Sequence, residues 1–268
     1  LNRAVVPHLI DYLNTKILHQ IQIPPIAFES LHISTPLPVI QQSFFTAFSS
    51  LGSTPSTIPF PISWPKNGPY VAVDIPVIEA ASKLFFPLGP HEDFRWNIFS
   101  GRVGATLNPP KIANINNDGS ISASIEANAS CQLKVKTPWL FHNVTIGPSA
   151  TTELSCTFRP VVEERELKVV LERVEHPTFS FDWGIPHWLN YIFFPLEAGL
   201  AAAINDILGR LIRVNLDNIK IPVYSIPVIN IHVEGDTKIE ISIDKGKSSG
   251  LNSSMLVFTA VETTVSKH

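Results

Sequence analysis

The stretch Ile121–Val135, which reads ISASIEANASCQLKV, decides the fold. Its odd-numbered positions hold Ile, Ala, Ile, Ala, Ala, Cys, Leu and Val, and the positions between them hold Ser, Ser, Glu, Asn, Ser, Gln and Lys. Alternation with a period of two is typical of a strand with one buried and one wet face. At about 3.3 Å per residue the stretch spans roughly 50 Å, two to three times a usual strand. It therefore predicts an elongated, strongly curved antiparallel sheet.

Other segments alternate in the same way and predict further strands of this sheet. The region from Asp93 to Leu107 is strand-like, and Met255–Val265 closes the chain with a final strand. Between them the alternating segments are Thr152–Phe158, Glu166–Glu172 and Lys238–Asp244. The sequence thus predicts an all-antiparallel arrangement that carries most of the chain.

Two apolar helices are expected against this sheet, which makes the fold class α+β. Residues Ile78 to Phe86 predict a short helix that ends at Pro87. Trp188 to Ile204 is almost wholly apolar, is kinked by Pro195, and continues as an amphipathic segment to Ile212. We expect a long helix surrounded by protein, or by protein and lipid. A transmembrane span is the less favoured alternative, because the stretch is short and contains a carboxylate and a central proline.

The first part of the chain predicts a separate organisation. Val5 to Gln20 has the spacing of an amphipathic helix, and Ala27–Ser34 resembles a short strand. Residues 35–69 are rich in proline and are expected to form a loop-like connection. The predicted domains are therefore 1–36, 37–69 and 70–268. The chain begins at Leu1, so we expect a processed product or a fragment of a longer protein.

Composition excludes some classes of function. Hydrophobic residues make up 44% and charged residues 16%, and the formal net charge is −3. A nucleic-acid-binding protein normally carries a basic face, which this chain lacks, so nucleic acid is not an expected partner.

Cysteines and glycosylation sequons favour a secreted protein. Cys131 and Cys156 fall on the inward face of successive predicted strands, so we expect a disulfide between them, with two buried free thiols as the alternative. Sequons at Asn128, Asn143 and Asn252 are expected glycosylation sites. Together these features predict an extracellular glycoprotein.

The order of these segments resembles the family of bactericidal permeability-increasing protein, lipopolysaccharide-binding protein and cholesteryl ester transfer protein, the tubular lipid-binding proteins. Tyr70–Phe86 is similar to the opening strand and short helix of the family's C-terminal domain, and Pro109 to Val135 to its central meander. Glu166–Pro177 and the segment from Trp188 resemble its strand and long helix. Residues 1–36 resemble the end of the preceding N-terminal domain. The resemblance implies a tubular lipid-binding barrel that holds lipid between helix and sheet, with no catalytic activity and no cofactor, and it implies a role in innate defence.

The apolar faces are then the candidate site. We expect phospholipid or another fatty-acyl lipid to contact Ile78, Leu84, Phe85, Leu133, Val135, Leu189, Ile192, Phe193, Leu196, Leu200 and Ala203. Contact with a membrane surface is expected too. If the N-terminal half is absent, the Val5–Gln20 helix needs another partner, such as a second copy of the chain.

Signals for catalysis or metal binding are weak. The chain has no G-x-S-x-G motif. His176, Asp182 and His187 lie close together in sequence, but polar residues at a strand-to-helix junction explain them better than a catalytic set does. His91-Glu92-Asp93 are consecutive on a predicted strand, so their side chains are not expected to converge on a metal ion. The sequence therefore favours a lipid carrier, with two rivals: an interaction or surface-active module of the same fold whose pocket is filled by side chains, and a lipid-modifying hydrolase.

Overall fold

The structure is a computed structural model that describes residues 21–22, 34, 37–41, 44–52, 70–136, 144–185, 187, 190–226, 228–233 and 237–267. For Ile192, for residues 21–22, 37–41 and 44–48, and for most of the last three strands it describes the backbone alone. The helices are α1 Ile75–Ser82, α2 Asn190–Phe193 and α3 Glu197–Asp217. The strands are β1 Ile21–Gln22, β2 Leu37–Gln41, β3 Phe44–Phe48, β4 Tyr70–Asp74, β5 His91–Trp96, β6 Phe99–Leu107, β7 Lys111–Ile115, β8 Ile121–Val135, β9 Val144–Ile146, β10 Ser149–Glu163, β11 Glu166–Val174, β12 Lys220–Ser225, β13 Ile229–Val233, β14 Thr237–Leu251 and β15 Met255–Lys267.

A curved antiparallel sheet of eight strands forms the main body. Its order is β12-β11-β10-β8-β6-β5, and β7 and β9 also pair with β8. A second sheet has the order β1-β13-β14-β15-β4. Every strand pair is antiparallel. The predicted curved antiparallel sheet is confirmed.

Strand β8 has the predicted bounds and the predicted phase. Its odd-numbered side chains are all buried, and the even-numbered ones are half-buried or exposed. It lies at the centre because it pairs with β6 and β10 along most of its length. The strands predicted around Thr152, Glu166, Lys238 and Met255 are also confirmed, and each is longer than its sequence pattern. The region 93–107 forms two strands, β5 and β6, because the chain turns at Asn97, whose φ is +52°.

The predicted disulfide is wrong. Cys131 and Cys156 are both free and buried. The register pairs Cys156 with Ala123, which lies eight residues along β8 from Cys131. At about 3.3 Å per residue the two positions are roughly 26 Å apart, far beyond the reach of a disulfide. Alternation predicted the face of each thiol correctly, but the register depends on the connection between the strands, which alternation does not report.

The short helix lies earlier in the chain than its apolar pattern predicted. Helix α1 covers Ile75–Ser82, with Pro76 in its first turn, where a missing backbone N–H costs little. Leu84 and Phe85 follow the helix in a turn. The bounds 78–86 are therefore wrong, since the apolar run continues beyond the last helical hydrogen bonds.

The long helix also has bounds that differ from the prediction, and its wholly apolar character is not confirmed. Helix α2 ends at Phe193, and α3 begins at Glu197 after a turn that contains Pro195. Proline lacks the N–H that would continue the first helix. Helix α3 is amphipathic: it buries one stripe with a spacing of four, namely Leu200, Ile204, Leu208, Ile212 and Leu216.

The proline-rich segment contains a hairpin where a loop was expected. Strands β2 and β3 pair from Leu37–Phe48 to Gln41–Phe44. Pro38 is tolerated because both strands of a two-stranded sheet are edges with one unpaired side. The predicted helix 5–20 and nearly all of the predicted strand 27–34 lie outside the described residues, so the proposed division at 36 and 69 stays a prediction.

Candidate functional site

The sequence-predicted lipid contacts are mostly core residues. Ile78, Leu133, Val135, Phe193 and Leu200 are each at most 2% exposed and belong to one hydrophobic cluster. Phe85, Leu196 and Ala203 pack against that cluster and are partly buried, while Leu84 is 38% exposed. Leu189 and the side chain of Ile192 lie outside the described residues. The structure brings most of the predicted set together, and their contact with lipid stays a prediction.

The interface between α3 and the large sheet is filled. Leu200, Ile204 and Leu208 have no accessible surface, and neither have Val103 and Leu107 of β6. A side chain without accessible surface has no space beside it for even a water molecule. Among the described residues, an open channel therefore does not run along these side chains.

Six aromatic rings form a continuous series of ring contacts, which we call the aromatic chain. Successive ring centroids are 6.1 Å apart for Phe179–Phe181, 5.4 Å for Phe181–Trp183 and 4.9 Å for Trp183–Phe193. The chain continues to Phe99 at 6.0 Å and to Trp96 at 6.1 Å. These separations are those of favourable edge-to-face and offset contacts. The aromatic chain thus connects the segment 179–183 with α2 and β6.

Asn205 of α3 holds the segment 179–183 in place. Its Oδ1 accepts a hydrogen bond from the Phe179 backbone N–H at 2.7 Å, and its Nδ2 donates to the Phe179 carbonyl oxygen at 3.1 Å. Nδ2 also donates to the carbonyl oxygen of Ala201 at 3.0 Å. The amide therefore replaces a strand partner for Phe179, which fixes the start of the aromatic chain relative to the helix.

Two large aromatic side chains in the segment 190–194 are exposed to solvent. Tyr191 is 87% exposed and Phe194 is 79% exposed. Phe194 also lines an open cavity of about 300 Å³, which we call the aromatic cavity. Its apolar lining is Phe181, Trp183, Ile185, Phe193 and Phe194, and its other lining residues are Asp182, Gly184, Asn190 and Glu197.

A second depression of about 370 Å³ lies over the outward-facing residues of β8 and β10. Its lining includes the hydroxyl residues Ser122, Ser124, Ser155 and Thr157, with Arg173 and Glu175. This composition is that of the wet face of an antiparallel sheet.

The two cysteines do not have the character of nucleophiles. Burial raises the pKa of Cys131 to about 12, and burial together with the charge of Glu175 raises the pKa of Cys156 to about 12. Both thiols are therefore protonated at neutral pH, whereas a nucleophilic cysteine has a lowered pKa.

The polar residues considered for catalysis or metal binding have separate roles in the described part of the chain. The ring Nδ1 of His176 lies 3.0 Å from the Pro177 carbonyl oxygen, and an Asp182 carboxylate oxygen accepts from Gly184 N–H at 3.3 Å. Glu92 binds Arg210 of α3 through both carboxylate oxygens, at 2.8 and 2.9 Å. The described residues contain no group of three side chains placed to hold a metal ion.

Comparisons with known proteins find a likeness to solved structures. No protein-family model matches the chain, and no curated protein matches its sequence. Among solved structures, it is similar to a crystal structure of lipopolysaccharide binding protein, with 11% sequence identity and a TM-score of 0.41. The match covers 75% of this chain and 51% of that one, so this chain spans about half of its length. At that TM-score the likeness carries no argument about function, and the resemblance to tubular lipid-binding proteins stays a prediction.

Several exposed or clustered aromatic residues were missed by the sequence-based prediction. Tyr191 and Phe194 lie in the apolar run that was predicted to be enclosed, and both are exposed on the N-terminal side of the break at Pro195. Phe179, Phe181 and Trp183 alternate with Ser180 and Asp182. That alternation was a signal for a one-sided aromatic segment. Nothing in the sequence predicted the pairing of Asn205 with Phe179, because it joins residues far apart along the chain.

Proposed function

We propose that this chain is a non-catalytic lipid-binding protein that contacts lipid through the aromatic cavity and the exposed rings beside it. The observation that carries the proposal is the exposure of Tyr191 and Phe194, the second of which lines that cavity. Aromatic side chains at the boundary of water and hydrocarbon are the usual anchors of interfacial proteins.

The free energy that the two rings can contribute indicates reversible contact with lipid. Burial of one such ring contributes about 1.5–3 kcal/mol. Two rings therefore give an attraction similar to that of a single acyl anchor, which holds proteins only marginally on a membrane. None of the helices in the described part of the chain has the length and apolar character needed to cross a membrane. The proposed contact is at the lipid surface.

The wider proposal follows the composition and the sequons. It places the protein outside the cell, without a cofactor, and with phospholipid or another acyl lipid as its ligand in a carrier or innate-defence role. Asn252 is exposed, so a glycan there would extend into solvent. Mass analysis after expression through a secretory pathway, with and without glycosidase, tests this part. Unmodified protein from such a host would contradict it.

The direct test is flotation with phospholipid vesicles. Replacement of both exposed rings, Tyr191→Ser with Phe194→Ser, is expected to lower vesicle binding by about tenfold or more, because the apolar area available for burial is lost. The matched control is Val214→Ser on α3, which removes a side chain that is 54% exposed but lies away from the cavity. Equal binding by wild type and the double variant, or absence of wild-type binding, would refute the proposal.

A second candidate is a surface-active or interaction module with a filled interior. The absence of accessible surface on Leu200, Ile204 and Leu208 favours it. Solvent extraction of the purified protein followed by mass spectrometry separates the two. Co-purified lipid in near-equimolar amount supports the carrier, and lipid-free protein that lowers surface tension supports the module.

A further inference from the structure

We infer that strand β5 is an interaction surface for a second copy of this chain, with which it pairs antiparallel across a two-fold axis. The pairing goes beyond the proposed lipid contact and involves neither the aromatic cavity nor residues 1–20. Its basis is the difference between the two edges of the large sheet, together with the backbone groups and the charges along β5.

The two edges of the large sheet differ in their protection. At one edge, β12 contains Pro222, which has no N–H to donate, and its register against β11 shifts beside that residue. Prolines and bulges are among the usual means by which proteins prevent a further strand from pairing at an edge. Strand β5 at the other edge has neither a proline nor a register shift. It is therefore the edge of the large sheet that is open to pairing.

The backbone of β5 directs every second residue outward along this edge. The Ala105 N–H donates to the Pro90 carbonyl oxygen at 3.0 Å. Since hydrogen-bonded pairs alternate along an antiparallel ladder, the even-numbered residues of β5 bond to β6, and the odd-numbered ones direct their N–H and C=O groups away from it. These open residues are His91, Asp93 and Arg95, whose side chains are all exposed. Within the part of the chain that the structure describes, no strand pairs with them.

The charges on the open residues select one register with a second copy. An antiparallel pairing centred on Phe94 sets Asp93 of each copy opposite Arg95 of the other. A slide by two residues in either direction instead sets Asp93 opposite Asp93 or Arg95 opposite Arg95, which are like charges. Among the described residues Arg95 takes part in no ion pair, and the ion pair of Asp93 with Arg102 is long, at 3.8 Å. Charge complementarity thus fits a second copy of β5.

This pairing closes on itself and does not propagate. A two-fold contact uses β5 of both copies, which leaves β12 with its proline at each end of the joined sheet. Contact along a strand of six residues is small compared with the interface of a permanent dimer, so we expect a reversible dimer. Exposed ion pairs are screened by salt, so the dimer is expected to weaken as ionic strength rises.

Sedimentation velocity of the full chain over a concentration series tests the pairing. We expect a monomer–dimer equilibrium at low salt. Asp93→Arg and Arg95→Asp each place like charges opposite one another, and each is expected to weaken the dimer about tenfold or more. Arg173→Asp is the matched control, because it makes the same charge change on an exposed residue of β11, away from β5. We expect it to dimerise as the wild type does.

A mixture of the two β5 variants is the most specific measurement. Asp93→Arg carries Arg at both positions and Arg95→Asp carries Asp at both, so a heterodimer restores two pairs of opposite charge. We expect the mixture to dimerise although each variant alone, shown to be folded by circular dichroism, does not. Wild type that stays monomeric at the highest soluble concentration, or folded variants whose mixture stays monomeric, would overturn the inference. So would loss of the dimer in Arg173→Asp with both β5 variants unaffected.

Cross-linking tests the same register without charge reversal. In the proposed pairing the Cα atoms of residue 93 in one copy and residue 95 in the other are about 5.5 Å apart, which a disulfide can span. Asp93→Cys combined with Arg95→Cys is therefore expected to form covalent dimers on mild oxidation, whereas Arg173→Cys is not. Absence of covalent dimers from the double variant would exclude this register.

Discussion

At the residue scale, the two cysteines test the register of the large sheet. A thiol whose pKa is raised from 9.0 to about 12 has roughly a thousandfold less thiolate at pH 8, and the thiolate is the reactive form. We expect Cys131 and Cys156 to react with a thiol reagent only in denaturant, with two labels added per chain. Measurement is by mass spectrometry with and without urea. Failure to label unreduced protein in urea would show a disulfide and contradict the register.

The same burial predicts a dependence of stability on alkaline pH. Burial raises the pKa of Tyr224 from 10.0 to about 12, as it does for both thiols. As the pH rises from 9 to 12, the unfolded chain loses these protons before the folded chain does, so the free energy of unfolding falls. Below pH 9 this contribution is fully present. Urea midpoints from pH 8 to 11 should fall, and less steeply in Tyr224→Phe; parallel curves would contradict the prediction.

Single residues show what alternation can and cannot predict. The buried face of β8 followed directly from its period of two, and every odd-numbered side chain confirmed it. The partner of Cys156 did not follow, because a strand can slide along its neighbour by two residues without changing which face is buried. Pairing is set by the connection and by neighbouring strands, so it needs three-dimensional information.

At the scale of elements, Asn205 joins α3 to the aromatic segment. Asn205→Ala leaves the backbone N–H and carbonyl of Phe179 without these partners, which costs about 1–3 kcal/mol. Chemical denaturation measures the cost, and vesicle flotation should show weaker binding because Trp183 is no longer fixed.

Asn215 offers a matched control on the same helix. Its Nδ2 donates to the Leu211 carbonyl oxygen at 2.8 Å, which is the equivalent of the bond from Asn205 to Ala201. Asn215→Ala is therefore expected to cost less than about 1 kcal/mol and to leave vesicle binding unchanged. Similar losses in both variants would show that the bonds to Phe179 contribute little.

Among the elements, long strands were easier to predict than helix ends. Strands of fifteen residues provide many repeats of one pattern, as in β8. The bounds of the long helix were predicted wrongly because the apolar residues before Pro195 and the amphipathic residues after it were interpreted as one helix. A proline allows either a kink or a stop, and the packing of Phe193 against Trp183 and Phe99 decides for a stop. Packing of that kind is not visible in local periodicity.

At the scale of the whole molecule, the two sheets are joined at one corner by backbone contacts. Ile115 N–H donates to the Ser253 carbonyl oxygen at 2.9 Å, and Gly250 N–H donates to the Asn117 carbonyl oxygen at 3.3 Å. A Cβ on Gly250 would overlap the Asn116 carbonyl oxygen. The turn between β7 and β8 thus packs against the turn between β14 and β15.

The close backbone contact at Gly250 predicts that one added methyl group destabilises the protein. Gly250→Ala is expected to lower the free energy of unfolding by about 1–3 kcal/mol, since backbone must shift to admit the new atom. Gly89→Ala is the control, because a Cβ on Gly89 would meet nothing within 4 Å. Thermal and urea unfolding measure both, and an unaffected Gly250→Ala protein would show that the sheets are not held in contact here.

The aromatic chain gives the protein an optical signature of its own. Six rings held at 4.9–6.1 Å in a fixed, asymmetric order produce strong near-ultraviolet circular dichroism. That signal disappears when tertiary packing loosens even if the strands survive. Because Trp183 belongs both to this chain and to the cavity wall, occupancy of the cavity would be readable in the spectrum without any attached dye.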